Sequence, residues 1–367
     1  MPSVRPNDFY IGCNGRGAQA SSLSRPISLE EASVDEQFRL VKETGVFDYF
    51  DRIPLRANFG EYVRAVEKYD LPIRTVSWFY RLGADDALLS DNLLVAKEIG
   101  AAMHNIMIFT HHADGHVVTD AEIVDSYLRC YDEGMKLGVE PAFELHVNMW
   151  SEDFRRVTPV ALAVRDRGVP FNFTLDYSHV NFKIGNPEEQ DISGIRADVE
   201  AGRLVLDPFD AGNLCDEWLS LGIVRWLQVR CAAPNGPKNV WSVHEPGKVV
   251  AGLPTLPPDA EPVVGRGIMY PFTRPAPGEW HSPWHAYMVE PTKEVVRKVL
   301  RYHKADPERR LDFITTEMIN LPDYGHNAKF SLIGQNAAIA RFVRDTWAEI
   351  DGAGGAAWTG GPDRSAS

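Results

Sequence analysis

Four apolar runs in this sequence each stop at a polar residue: FELHVN from Phe143 to Asn148, FTLDYSH from Phe173 to His179, WLQVR from Trp226 to Arg230, and FITTE from Phe313 to Glu317. They supply Glu144 with His146, Asp176 with His179, Gln228 with Arg230, and finally Glu317. Residues i and i+2 of a strand share a face, so Glu144 and His146 are expected to project together from one strand. Three carboxylates gathered at one point repel one another, and their pKa values are driven apart unless a cation sits among them. An all-oxygen donor set suits Mn²⁺ or Mg²⁺ better than zinc. Any one of these carboxylates taken alone also reads as a solvent-facing group or a helix cap. As an ordered set at matching strand ends, they point to a divalent-metal centre.

Such a set needs a scaffold that brings strand ends together. Short β-branched or aromatic runs at 9–13, 46–51, 73–79, 103–110, 141–147, 171–177, 224–230 and 311–317 read as eight strands. Amphipathic stretches at 29–44, 57–69, 85–99, 119–137, 151–167, 207–221, 291–303 and 330–350 read as eight helices. Thr119 with Glu122 has the spacing of a capping box. Pro159 predicts a kink or break in the fifth helix. Strict strand and helix alternation implies a parallel sheet, and at this count an α/β fold of the closed (β/α)8 barrel type. The active site of such a barrel lies at the carboxyl ends of its strands.

The expected domain plan is a single barrel over 1–351, with a flexible, Gly- and Ser-containing tail at 352–367. Residues 231–290 form a proline- and glycine-rich insertion after the seventh strand. Its aromatic residues, Trp241, Tyr270, Phe272, Trp280 and Trp284, suit an ordered lid or a partner-binding region better than a disordered linker. The HHADGH run carrying His111, His112 and His116 reads either as a solvated loop or as an adventitious metal site.

The chain has 367 residues, 44% hydrophobic and 24% charged, which is enough to bury a sizeable core. Its formal charge of -13 disfavours nucleic acid or an anionic membrane surface as the main partner. Cys13, Cys130, Cys215 and Cys231 show no CxxC pair, so neither a disulfide framework nor a zinc knuckle is expected. No apolar signal core and no membrane-length apolar run occurs, and the expectation is a soluble, cytoplasmic protein.

On the residues just quoted, Glu144 with LHVN, the D-x-x-H of Asp176 to His179, and Glu317, the chain resembles the xylose-isomerase-like barrels, which include sugar isomerases, sugar epimerases and inosose dehydratases. That resemblance implies a metal held by Glu144, Asp176, Gln228 and Glu317. Gln228 stands where the family places a histidine, and a neutral amide oxygen shifts preference away from softer ions. It further implies proton abstraction next to a carbonyl, assisted by Mn²⁺ or Mg²⁺. The stretch from Gly265 to Trp284 is similar to a segment of the large subunits of C-glycoside deglycosidases. These cleave the carbon–carbon bond between a 3-oxo sugar and a phenolic aglycone by deprotonation and β-elimination, and they pair with a small β-rich subunit.

The narrower resemblance implies a carbon–carbon lyase in a hetero-oligomer, with a sugar isomerase or epimerase acting through a metal-stabilised enediolate as the alternative. Glu144, His146 and Glu317 are the catalytic candidates, with His146 the base acting on the substrate, most readily the phenol, one base more than the isomerase plan requires, or else a histidine satisfied by a neighbouring strand. His179, Arg230 and Trp280 are the substrate-binding candidates. A structural role for His179, a salt bridge to a helix for Arg230 and a subunit interface for Trp280 stay open.

Overall fold

The computed structural model describes residues 9–235, 243–244, 246–247, 257–260, 263–264, 269–308, 310–321 and 328–352. Eight strands, β1 (Tyr10–Asn14), β2 (Tyr49–Asp51), β3 (Ile73–Tyr80), β4 (Met103–Ile108), β5 (Glu140–Glu144), β6 (Phe173–Asp176), β7 (Val224–Val229) and β8 (Phe313–Thr316), form the barrel. All neighbours pair in parallel, and β1 closes the ring by pairing with both β2 and β8. The (β/α)8 barrel expected from the alternation is therefore the observed fold. Outside it, Val243–His244 pairs antiparallel with Val263–Val264. Trp241, Gly265 to Ile268 and the tail from 353 onward fall outside the described residues.

The principal helices are α1 (Val34–Glu43), α2 (Phe59–Tyr69), α3 (Asp86–Ile99), α4 (Asp120–Leu137), α5 (Val157–Arg165), α6 (Leu214–Ser220), α7 (Glu290–Ala305) and α8 (Leu332–Gly352). Three short helical turns, Ser178–Asn181, Pro187–Ile192 and Arg196–Glu200, fill the connection after β6. Helix α4 begins as its sequence predicts: the Thr119 hydroxyl accepts from the Glu122 amide, and the Glu122 carboxylate accepts from the Thr119 amide at 2.8 Å. Helix α5 departs from expectation. It starts at Val157, not near 151, so Pro159 lies in the first turn, where its missing N–H breaks no helical bond and no interior kink arises.

Period two along the strands sorts the barrel interior by height. The inward positions near the amino ends of the strands are apolar: Tyr49, Met103, Ala142, Trp226 and Phe313 form one buried cluster with Tyr10 packed against it. Two residues further along the same faces stand Asp51, Asn105, Glu144, Gln228 and Thr315, and beyond Thr315 comes Glu317. The barrel is thus plugged with rings at one end and lined with polar groups at the other. Gly12 is needed for the plug, because a Cβ there would run into the Tyr49 ring. That ring crosses the barrel to a 2.7 Å hydrogen bond between the Tyr49 and Thr315 hydroxyls.

The outward face of β4 carries a buried histidine. His104 donates from Nδ1 to Val76 O (3.2 Å), which leaves Nε2 to accept the Tyr80 hydroxyl (2.6 Å). Asn92 on α3 donates in turn to that hydroxyl at 2.7 Å. Burial lowers the His104 pKa from 6.5 to about 4. The unfolded chain therefore binds the proton more tightly, and stability, complete above pH 6.5, is lost as pH falls toward 4. The expected loss from this residue is about 2 kcal/mol between pH 7.5 and pH 5. Urea denaturation at the two pH values measures it, and His104→Asn should remove most of the difference.

Candidate active site

The four expected metal ligands arrive together at the polar end of the barrel. Strand pairing sets Asp176 opposite Gln228, and Gln228 opposite Thr315, so the ends of β6, β7 and β8 are level. Glu144 ends β5, and Glu317 follows β8 by one residue. Oxygens of Glu144, Asp176 and Glu317 all lie within 4.8 Å of one another, and all three residues are buried. Among the described residues the Gln228 amide has no hydrogen-bond partner on either atom, and Glu317 Oε2 has none. A buried amide left unpaired costs about 1–3 kcal/mol, and a buried carboxylate oxygen costs more. Oxygen donors without partners, facing clustered carboxylates, are what a divalent cation would satisfy, so these residues fit a Mn²⁺- or Mg²⁺-class ion.

The electrostatics agree. Burial, then the charges of Glu317 and Asp176, push Glu144 well above the usual carboxylate range, against an opposing hydrogen bond from Asn105. Burial also pushes Glu317 well up, with Asp176 and Asp51 adding to the rise and Arg230 countering it. Asp176 alone goes down: burial would raise it, but Arg230 and His179 together overcome that effect. Arg230 Nη2 lies 2.7 Å from Asp176 Oδ2 and 2.6 Å from His179 Nε2, and its Nε donates to the Ser178 hydroxyl at 2.9 Å. The structure thus sets Arg230 against the acids, with its hydrogen bond to Asp176 and its charge opposing the rise of Glu144 and Glu317.

His146 reaches this place by a different route from the one its spacing suggests. Strand β5 ends at Glu144, so Glu144 and His146 do not share a strand face. Ser151 interrupts the ladder: its hydroxyl donates to Glu144 O (2.6 Å) and accepts from the His146 amide (3.1 Å). The chain then turns through Asn148 in the left-handed region, with φ of 63°, and its amide donates to Glu152 Oε2 at 2.6 Å. Glu152 is in turn anchored by the buried Lys183 at 2.9 Å. Despite the lost strand, Glu144, His146 and His179 still place ligand atoms within 4.8 Å of one another.

His146 Nδ1 faces Val147 O at 2.6 Å, an acceptor, so the proton sits on Nδ1 and Nε2 carries the lone pair. Desolvation, then His179 and Arg230, holds His146 well below its usual pKa, so it is neutral near pH 7. His179 is likewise lowered to about 4, by burial and then Arg230.

Trp280, the remaining substrate-binding candidate, packs among Tyr270, His281 and Phe330. Trp284 donates its indole N–H to Pro271 O at 2.8 Å. Both indoles are thus engaged within the segment after β7 and with residues flanking α8.

Several site residues escaped the sequence reading. Asn105 on β4 donates to Glu144 Oε2. Asn14 at the end of β1 donates from Nδ2 to both Asp51 Oδ2 and Glu317 Oε1, at 3.3 Å each. Asp51 ends β2, also accepts from the Thr75 hydroxyl (2.9 Å), and has its pKa raised to about 7 by burial against those two hydrogen bonds. Each is a polar residue on an inward face, Asn14 and Asp51 at the carboxyl ends of β1 and β2 and Asn105 midway along β4. The strand-end rule that located Glu144 and Gln228 also picks out Asn14 and Asp51, and the period-two inward face of β4 picks out Asn105. Phe79 and Phe109 were missed too: Phe79 stacks on Phe109 at 6.0 Å and meets the His146 ring edge-on at 5.5 Å.

The chain matches no protein-family model and no curated protein. It is similar in structure to AsbF of Bacillus anthracis, described as a probable 3-DHS dehydratase, with a TM-score of 0.51 and 12% identity over 90% of this chain and 98% of that one. It is also similar to YcjR of E. coli, a 3-keto-D-glucoside 4-epimerase, with a TM-score of 0.47 and 12% identity over 92% and 99% of the two chains. A third is a xylose isomerase-like TIM barrel protein from Mycobacterium smegmatis in complex with magnesium, with a TM-score of 0.47 and 12% identity over 92% and 98%. At such identities it is the barrel fold that the likeness to AsbF shows.

Proposed function

We infer that this chain is a metal-dependent sugar isomerase or epimerase, moving a proton at a carbon next to a carbonyl. The observation that carries this reading is the convergence of Glu144, Asp176 and Glu317 with the unpartnered Gln228 amide at the buried polar end of the barrel. A divalent ion bound by these four residues supplies Lewis-acid polarisation of a substrate carbonyl and its neighbouring hydroxyl. His146 Nε2, with its lone pair fixed by the Val147 carbonyl, takes the proton and returns it. Arg230 holds Asp176 ionised, and His179, with Nε2 3.2 Å from Asp176 Oδ2 and Nδ1 accepting from the Val147 amide at 3.3 Å, orients that carboxylate. Asn14 and Asn105 fix the rotamers of Glu317 and Glu144. One metal centre and one neutral base suffice for this chemistry.

A second reading is β-elimination of a 3-oxo C-glycoside, and one observation favours it. Phe79 and Phe109 form an aromatic wall whose edge meets His146, a place for a phenolic ring beside a base. On that reading the chain would work with the small β-rich partner subunit expected from its sequence resemblance.

Both readings begin with removal of the same kind of proton. Incubation with 3-oxo glucosides and free ketoses in D₂O with Mn²⁺, followed by NMR, should show deuterium at a carbon beside the carbonyl. Release of a phenolic aglycone would select elimination, and a new sugar isomer would select isomerisation. Absence of exchange from every such substrate would overturn the proposed chemistry.

A further inference from the structure

A second cluster of ligating side chains lies apart from the four metal ligands, on the loop between β4 and α4. His112, Asp114 and His116 place ligand atoms within 4.8 Å of one another. Their loop is a tight hairpin: His111 and Val117 bridge in antiparallel fashion, the His112 amide donates to His116 O (2.9 Å), and the Gly115 amide donates to His112 O (3.0 Å). The two imidazoles stack at 4.7 Å and 19°. Gly83 closes over the His112 ring so tightly that a Cβ there would collide with it, and the Ala113 amide ties the loop to Leu82 O at 2.9 Å. Rings on a surface loop are thereby held in one orientation.

The orientation is that of a cation site. His116 Nε2 is 2.8 Å from Glu122 Oε1, so that nitrogen carries a proton, and Nδ1 is turned to Asp114 Oδ1 at 2.5 Å. Glu122 is itself fixed by the capping box with Thr119. The Asp114 amide donates to His112 Nδ1 at 3.4 Å, so this nitrogen is an acceptor, and it stands 3.2 Å from the same Asp114 oxygen. His112 Nδ1 thus offers a lone pair, and His116 Nδ1 donates to the Asp114 carboxylate in the metal-free chain, so a cation seated among the three atoms takes the place of that one proton. The Nδ1 proton of His116 compensates Asp114 Oδ1 from one side only and leaves His112 Nδ1 facing that oxygen at 3.2 Å, whereas a single cation compensates both.

We propose that His112, Asp114 and His116 form a second metal site, selective for a zinc-class divalent transition ion. Two imidazole nitrogens and one carboxylate oxygen match the donor preference of Zn²⁺, Co²⁺ or Ni²⁺ over Mg²⁺, and three protein ligands leave a position for water or another ligand. Glu122 supplies the carboxylate behind a ligating imidazole that such sites use to fix the ring and raise its basicity. The donor chemistry is complementary to the all-oxygen set of Glu144, Asp176, Gln228 and Glu317, so one chain would sort two kinds of ion into two places.

The test is calorimetric titration of Zn²⁺ into the metal-stripped full chain, into the His112→Ala/His116→Ala double variant and into Glu144→Gln. The double variant should take up one zinc fewer, or bind it at least tenfold more weakly, while Glu144→Gln keeps that event. Equal zinc number and affinity in the wild-type chain and the double variant would overturn the proposal. So would loss of the event in Glu144→Gln with retention in the double variant.

Discussion

His146→Ala should lower turnover, read as deuterium incorporation beside a substrate carbonyl, by roughly 10²–10⁴-fold while the bound divalent ion stays in place. The residue meets the requirements of a base on geometry first. Its Nδ1 proton is committed to Val147 O, so Nε2 carries the lone pair, and the ring lies within ligand distance of Glu144 and His179. Its surroundings keep it neutral where an ordinary histidine would be partly charged. The turn that presents it is held by Ser151 and by Glu152 with Lys183, so the loss is specific to the imidazole and the fold is kept. Turnover within tenfold of wild type would remove His146 from the chemistry. Loss of the ion along with activity would instead make it a ligand.

Arg230→Met should cost the metal-free protein about 3–5 kcal/mol of stability, the scale for stripping one partner from a buried ion pair. Asp176 is fully buried, its second oxygen accepts the Ser178 amide at 3.0 Å, and Arg230 is the largest single compensating group, with His179 Nε2 3.2 Å from the oxygen that Arg230 bonds. Without the guanidinium, the Asp176 carboxyl would rise from its lowered pKa and join the strained pair Glu144 and Glu317. Arg230→Lys should recover only part of the loss. A lysine cannot span Ser178, Asp176 and His179 with one planar fork. Added Mn²⁺ should restore stability to the Met variant by binding the folded state alone. A destabilisation under about 1 kcal/mol would mean that water already compensates Asp176.

The barrel was legible because its evidence is repetitive. Eight apolar runs alternating with amphipathic stretches admit few architectures, and an error of a few residues at one strand changes nothing. The Glu144, Asp176, Gln228 and Glu317 set was legible for a related reason, since polar residues at the ends of buried strands are costly and seldom accidental. What could not be read was where strands stop. HVN continues the alternation of FEL, and nothing local announces that the Ser151 hydroxyl, seven residues on, will end the ladder at Glu144. Pro159 misled in the opposite sense, because its effect depends on whether it falls in a first turn or an interior. Asn14, Asp51 and Asn105 were passed over because isolated amides and acids in weak strands look like loop residues until the barrel closes. The bonds of Asn14 to Glu317 and of Asn105 to Glu144 span 303 and 39 residues of chain, a relation that spacing does not encode.

The central claim is that Glu144, Asp176, Gln228 and Glu317 hold one Mn²⁺- or Mg²⁺-class ion. Its most direct test is elemental analysis of the full chain equilibrated with Mn²⁺ and passed through a desalting column, in wild type, Glu144→Ala and Glu317→Ala. The account predicts one manganese per wild-type chain and near-complete loss from both variants, each still folded by circular dichroism. Manganese retained undiminished in the two variants would contradict it.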